Sequence, residues 1–299
     1  MSYDDIAAVY LAPLAEPIPA PAVPTTRARR LRDALEPIAT QGWWSRASSD
    51  RLTALGLGFF DAYVWGRAAS LGTPAPAVVV STFGVFEPGL LTAVYEQGVA
   101  AAAREDVLAA RAAGATESLA GIASESEAAA VADPLLAVLA LLDGAARPLF
   151  SGLRALPVPD SAHGRLWRAA ELVREHRGDG HLAAAAVAGF DAATLNVFTE
   201  LWLGYGFGEY SGTRGFDSAQ LGDALAWLES QEWVAGTALT AHGRGARQSL
   251  ETATDASQAA LVERLGSGIE DVIAGAEIIS ERVLAVGAFP ADPRKRAGG

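Results

Sequence analysis

Residues 216–250, FDSAQLGDALAWLESQEWVAGTALTAHGRGARQSL, predict a helix, a short hairpin and a second helix in that order. Asp217 or Ser218 is a suitable N-cap for a helix whose leucines recur on one face at 221, 225 and 228. Residues 234–240 then place two short extended stretches on either side of a glycine, which predicts a β-hairpin. A second, longer helix follows from about Ala241. This part of the chain is therefore expected to be helical around one small hairpin.

The same segment resembles the second half of a winged-helix domain of the MarR type. In such a domain a Leu-Thr strand returns from the wing and a Gly-Arg pair begins the long helix, which corresponds here to Leu239-Thr240 and Gly243-Arg244. The resemblance covers about 45 residues. It implies a winged-helix-like module in the C-terminal part of the chain.

The charges of this module do not favour DNA binding. A recognition helix contacts bases and phosphates with polar and basic side chains. Residues 217–230 instead carry Asp217, Asp223 and Glu229, with no Lys, Arg or His. Residues 211–255 hold three arginines against six acidic residues. Because phosphate contacts depend on cations, we expect weak DNA binding.

The composition of the chain indicates the size of its core and the expected cellular compartment. It has 299 residues, of which 51% are hydrophobic, so it has enough apolar surface for a large core. It has no cysteine, and its formal net charge is −12. The acidic N-terminus does not resemble a secretory signal, and no apolar run has the length of a membrane span. We expect a cytoplasmic protein without a membrane segment.

The rest of the chain predicts helices almost throughout, so the expected fold class is all-α. Residues 1–25 are expected to form a Pro-rich arm, either loose or strapped across the fold, because Pro disfavours helix in the residue before it. Residues 26–205 are expected to form a helical domain. The module with a C-terminal helix over Ile269–Val286 takes up residues 212–299. That last helix is a candidate for homodimer formation.

The hexapeptide HRGDGH, residues 176–181, concentrates polar groups in an Ala-rich region. We expect it to end one helix and start the next, with Gly178 closing the first helix and Asp179 capping the second. Such a junction does not require His176, Arg177 or His181. A second interpretation is therefore a ligand or acid–base site in which His176, Asp179 and His181 are the catalytic candidates.

A metal site is a third and weaker interpretation of the hexapeptide. His176, Asp179 and His181 offer up to three ligands, but the sequence shows no matching fourth ligand and no HExxH motif. We therefore predict no metal and no cofactor.

Further ligand-binding candidates lie outside the two histidines. Arg67 is a lone charge in an apolar helix predicted from about Ser48 to Ser70, and Glu87 is its expected partner. Trp167 and Arg177 complete the ligand-binding candidates, since Trp- and Phe-rich helices would form an apolar pocket with HRGDGH at its polar end. The arginines of residues 27–32 are expected mostly on the solvated face of a helix beginning near Thr26.

Over roughly residues 30 to 255, without the Pro-rich arm and the C-terminal extension, the chain resembles an actinobacterial family of helix-turn-helix proteins. Four segments carry the resemblance, and they are GRAASLG (66–72), TFGVFEP (82–88), LWRAAELVREHRGDGHLAAAAVAG (166–189) and LTAHGR (239–244). It implies a helical body with a winged-helix-like part, and it supplies no known reaction.

Three functions remain open from the sequence. The first is a small-molecule-binding protein on a regulator-like scaffold. The second is an enzyme that uses the HRGDGH side chains for acid–base chemistry. The third is a DNA-binding regulator with Arg27–Arg32 as a basic stripe, which the acidic helix at 217–230 disfavours.

Overall fold

The computed structural model describes residues 3–298, and residues 1, 2 and 299 lie outside the described part of the chain. Within it, helices dominate and the strands are limited to one two-stranded antiparallel hairpin. The predicted all-α class with a small hairpin is confirmed.

The N-terminal half consists of short and medium-length helices. They are α1 (Tyr3–Ile6, continued by a π-helical turn over Ala7–Leu11), α2 (Arg27–Ala39), α3 (Gln41–Trp44), α4 (Arg46–Ala54), α5 (Phe59–Ala68), α6 (Pro76–Phe83), α7 (Pro88–Ala101), α8 (Arg104–Ala120) and α9 (Glu125–Leu139).

The C-terminal half contains the longest helix and the hairpin. Its elements are α10 (Pro148–Arg154), α11 (Ala162–Val187), α12 (Ala192–Leu203), α13 (Ser218–Ser230), β1 (Val234–Ala235), β2 (Ala238–Leu239), α14 (Ala241–Ala256), α15 (Ala259–Leu265), α16 (Ile269–Ala285) and α17 (Pro293–Gly298). Short 3₁₀ turns lie at Ala69–Leu71, Ser211–Arg214 and Gly266–Gly268.

Helix α11 is the central element of the fold. It packs against α2, α8, α9, α10 and α14, and its buried residues include Leu166, Trp167 and Val173. Helix α16 packs on α2 and α9 through an apolar face that includes Ile273 and Ile279. The apolar face of α16, the helix predicted as the candidate for homodimer formation, thus packs within the chain. Both the homodimer and the domain division between residues 205 and 212 stay predictions.

A second apolar cluster surrounds α5, α6 and α7. Val64, Trp65 and Leu91 are fully buried in it. The sequence predicted one helix from Ser48 to Ser70, and this was wrong. Gly56 has a φ of +84°, so the chain turns there and starts α5 after Gly58. The break allows the aromatic start of α5 to face a cavity.

The hairpin region follows the order that its sequence predicts. Asp217 caps α13 by accepting the Gln220 N–H, and Val234 pairs with Leu239 in the hairpin. Thr240 then caps α14 by accepting the Gly243 N–H at 2.9 Å. A Cβ at Gly243 would overlap the carbonyl of Trp233, so this position has no room for a side chain. The Thr-x-x-Gly spacing is thereby explained by local structure.

No single described helix is long and apolar enough to cross a membrane. One pair, Ala162–Val187 with Ala192–Leu203, meets the length and composition test together but is bent by 107°.

Candidate functional site

The HRGDGH segment lies inside α11, not at a helix junction. The helix runs without a break from Ala162 to Val187, and neither Gly178 nor Gly180 has a positive φ. The predicted helix end at Gly178 and the predicted N-cap role of Asp179 for the next helix were therefore wrong. The next helix is α12, and Asp191 caps it. Tertiary contacts of the polar side chains offset the low helix propensity of the two glycines.

The polar side chains of HRGDGH hold helix α14 and the turn after it. His176 Nδ1 lies 2.7 Å from Gln258 Oε1, and His181 Nδ1 lies 2.9 Å from Thr254 Oγ1. Arg177 Nη2 donates to Glu251 at 3.0 Å. These contacts attach α14 and the turn after it to α11. They account for the three side chains that a junction does not require.

The same hydrogen bonds define the tautomer of each histidine. Thr254 gives its only hydroxyl proton to the Leu250 carbonyl, so His181 must donate from Nδ1. Gln258 Oε1 is an acceptor, so His176 also donates from Nδ1. Burial lowers the pKa of His176 to about 4. Burial, with Arg247 nearby, lowers that of His181 to about 3. Both rings are neutral at pH 7.

Asp179 caps a helix other than the expected one. Its carboxylate accepts the Phe150 N–H at 3.0 Å, in the first turn of α10. Burial raises its pKa to about 7, although this hydrogen bond opposes the shift. Asp179 is thus the one group of the hexapeptide with a pKa near neutrality.

An inner cavity of about 140 Å³ lies beside this part of α11. Asp179 and His181 line it, whereas His176 does not. The structure therefore brings two of the three catalytic candidates to one cavity and turns His176 toward Gln258 and the ring of Phe150. Arginines dominate the remaining wall, namely Arg29, Arg32, Arg67, Arg174, Arg177, Arg214 and Arg247.

Six of these seven arginines form ion pairs with shared carboxylates. Glu251 contacts three of them, with Nη atoms 3.0 Å away for Arg29 and Arg177 and 2.6 Å away for Arg247. The five carboxylates that pair with the cluster are Asp33, Glu36, Glu175, Glu251 and Asp255.

The C-terminal helix α17 forms one wall of the inner cavity. Arg29 Nη2 donates to the Ala297 carbonyl at 2.8 Å, and Arg32 Nη1 donates to the Arg296 carbonyl. Arg29 and Arg32 are only 1% and 3% exposed, so the prediction of a mostly solvated arginine face was wrong for both. The contacts of α2 with α14 and α17 bury that face. Arg27 and Arg30 remain outside and pair with Glu270.

Arg67 has a different partner from the predicted one. It binds Glu175 through Nε at 3.0 Å and Nη2 at 2.8 Å, which is a bidentate pair. Glu87 instead caps α7 by accepting the Leu90 N–H, and its own N–H donates to the Arg214 carbonyl at 2.9 Å. The Arg67–Glu87 prediction was wrong because Glu175 of α11 accepts from Arg67 with both carboxylate oxygens and the Glu87 carboxylate is used at the start of α7. Glu87 still touches the site through the backbone of Arg214.

Trp167 is part of the core. Its indole N–H donates to the Ala39 carbonyl at 3.1 Å, and the residue is 1% exposed. It lines neither the inner cavity nor the larger chamber described next. The structure does not bring it together with the other ligand-binding candidates.

A larger aromatic chamber of about 510 Å³ adjoins the inner cavity. Trp44 and Phe59 face each other across ring centroids 5.1 Å apart, and Trp43 contacts Tyr63 at 5.2 Å. The aromatic residues of its lining are Tyr10, Trp43, Trp44, Phe59, Phe60, Tyr63, Tyr210 and Phe289. We call this space the aromatic chamber and the smaller one the arginine cavity.

The two spaces meet at four shared side chains, Tyr63, Arg174, Tyr210 and Arg214. Sequence reasoning missed Arg174, Arg214 and Arg247. The sequence did contain a signal for buried arginines. The chain has a single lysine, so nearly all of its positive charges are arginines, and several of them stand next to apolar residues whose spacing predicts the core. An apolar space with charged groups at one end can hold a ligand that has an apolar body and a polar head.

Among residues 3–298 no group of three or more His, Asp or Glu side chains is placed to hold a metal ion.

The comparisons with known proteins gave one match. A family model described as a helix-turn-helix family matches residues 28–290. No curated protein and no solved structure matches the chain.

Proposed function

This chain belongs to the helix-turn-helix family, and we propose that within that family it acts as a small-molecule-binding protein whose ligand occupies the aromatic chamber. The observation that carries the proposal is the chamber itself. Its volume of about 510 Å³ lies within the usual range for ligand sites. Eight aromatic residues line it, and charged side chains converge where it meets the arginine cavity.

The position of the arginines favours ligand binding over DNA binding. The MarR-like interpretation covers residues 211–255, which hold Arg214, Arg244 and Arg247. Arg214 and Arg247 line the arginine cavity, and Arg244 is exposed. Within residues 211–255 a duplex would thus meet one exposed arginine, beside the acidic helix α13. The expected DNA affinity is low for this reason.

The basic stripe at Arg27–Arg32 gives the DNA alternative little support. Arg29 and Arg32 are buried, and Arg27 and Arg30 both pair with Glu270. The name of the family suggests a DNA-binding regulator, which is the alternative to our proposal. Salt-sensitive binding to duplex DNA at about 0.15 M salt would favour it over ours.

One observation favours an enzyme as the second candidate function. Asp179 lines the arginine cavity with a pKa of about 7, which suits general acid–base work at neutral pH. His181 is neutral and has Nε2 unprotonated, although its pKa of about 3 makes it a weak base. Incubation with a metabolite extract of the host, followed by mass spectrometry, tests this candidate. An enzyme would convert a compound that Asp179→Asn leaves unchanged.

Binding of the uncharged fluorophore N-phenyl-1-naphthylamine tests the main proposal. Phe59→Ala should weaken binding about 3- to 10-fold, because one aromatic contact in the chamber is lost. Phe207→Ala is the matched control, since Phe207 is 39% exposed and lies outside the chamber. Absence of binding to the unaltered protein, or equal affinity in the two variants, would contradict the chamber as the binding site.

A further inference from the structure

We infer that the chamber's ligand carries an oxyanion, a carboxylate or a phosphate, which binds at the arginine cavity with Arg214 as its first contact. This inference rests on the proposed function, because it places the head of a ligand whose body occupies the aromatic chamber. Arg214 is suited to this role by position, since it lines both spaces.

Arg214 is the arginine of the cluster that has no carboxylate partner within residues 3–298. Its Nη2 donates to Tyr210 Oη at 2.6 Å, and its guanidinium lies 4.7 Å from the Tyr210 ring centre and 4.8 Å from that of Phe86. Its Nε–H has no acceptor among the described residues. Two aromatic faces hold the cation in place without neutralising it. The guanidinium therefore retains its charge and a donor for an incoming anion.

Arg177 and Arg247 provide an independent observation in the same cavity. Their side chains are only 8% and 3% exposed, and the Nε–H of each lacks an acceptor among the described residues. Buried donors are normally satisfied. Both residues line the arginine cavity, so an oxyanion there would have unsatisfied donors nearby.

The charge of the cluster supports an anion as the missing partner. Among residues 3–298, carboxylates pair with the other six arginines of the cavity wall and none pairs with Arg214. Burial, together with the charges of Arg29 and Arg177, lowers the pKa of Arg247 to about 10, although Glu251 opposes the shift. The remaining acid at the wall, Asp179, accepts the Phe150 N–H.

The size of the cavity limits what enters it. About 140 Å³ corresponds to the space of roughly four or five water molecules, which suits one oxyanion group. The paired N–H donors of an arginine guanidinium bind carboxylate and phosphate oxygens equally well, so the anionic group of the ligand can be either a carboxylate or a phosphate. A nucleic-acid duplex is far too wide for this space.

Calorimetric titration with three naphthalene probes tests the inference. The probes are 1-naphthaleneacetamide, which is uncharged, 1-naphthaleneacetate, which has nearly the same shape, and 1-naphthyl phosphate. Each is titrated into the full chain, Arg214→Gln and Arg214→Lys. Arg264→Gln is the matched control, since it removes one exposed positive charge from α15, outside both spaces.

The unaltered protein and Arg264→Gln should bind the better of the two anions about 10-fold or more tightly than the amide. Arg214→Gln should reduce that preference to about 3-fold or less while amide affinity stays within about 2-fold, and Arg214→Lys should restore part of it. Acetate preferred over phosphate, or the reverse, supports the inference and identifies the head. Equal binding of amide and anions overturns the inference while leaving the chamber's function intact. Binding of none of the probes overturns both.

Discussion

Replacing Gly178 and Gly180 separately by alanine tests whether HRGDGH is helix interior, because the structure predicts effects of opposite sign. At Gly178 an added Cβ meets only Glu175 Oε2, at 3.9 Å. At Gly180 it would overlap Ser257 Oγ and lie 2.9 Å from Arg147 Nη1. Both residues have helical neighbours on each side, so helix propensity alone favours alanine at both positions.

The magnitudes follow from these two environments. Gly178→Ala removes the entropic cost of a mid-helix glycine, so the free energy of unfolding should rise by about 0.5–1 kcal/mol. Gly180→Ala gains the same term but must displace Ser257, whose hydroxyl donates to the Thr254 carbonyl. Overpacking of this kind costs about 1–3 kcal/mol, so the net effect should be a loss.

Urea unfolding followed by far-ultraviolet circular dichroism measures both variants against the unaltered chain. Gly178→Ala should raise the urea midpoint and the Tm, the latter by about 1–3 °C, and Gly180→Ala should lower both. If the helix ended at Gly178 in a left-handed conformation, alanine there would destabilise the protein. A fall in the urea midpoint for Gly178→Ala would therefore refute the continuous helix.

Two further predictions concern the charged groups around the cavity. The folded pKa of Asp179 is raised from 3.8 to about 7, so its stabilising contribution is complete below about pH 4 and is lost as the pH rises through 7. Asp179→Asn should therefore gain stability relative to the unaltered protein between pH 4 and pH 8, by on the order of 2–4 kcal/mol in urea titrations, and a constant difference across that range would contradict the shift. Glu251→Gln should lower the free energy of unfolding by about 3–5 kcal/mol, since it leaves three buried arginines without their shared acid. Glu270→Gln at the exposed pair should change stability little, and equal losses for the two glutamates would contradict the buried network.

The sequence was sufficient for the elements whose signals are local. The cap at Asp217, the helix starts near Thr26 and Ala241 and the hairpin within 234–240 lie where the residues predict them, because each depends on neighbours a few positions away. Helix α16 also agrees, with Ile269–Ala285 observed against Ile269–Val286 expected, whereas α17 was not predicted.

The hexapeptide could not be interpreted correctly from local signals alone. Glycine, aspartate and glycine in succession favour a helix end, and tertiary contacts overcame that preference. Glu251 and Thr254 lie more than 70 residues from their partners Arg177 and His181. No spacing rule links such positions.

The candidate site was foreseen in kind but not in composition. An apolar pocket with a polar end near HRGDGH was expected, and Arg67, Arg177, Asp179 and His181 do line one cavity. Arg214 was not expected there, because it follows a glycine-rich loop whose course depends on the Glu200 carboxylate accepting three backbone N–H groups. Such a loop conformation depends on side-chain contacts that the sequence does not make visible.

A crystal structure of the full chain with saturating 1-naphthaleneacetate or 1-naphthyl phosphate tests the central claim most directly. We predict the ring system in the aromatic chamber, in contact with Trp44 or Phe59, with the anionic oxygens about 3 Å from the guanidinium of Arg214. Ligand bound only elsewhere on the protein, with the chamber filled by water, would contradict the account.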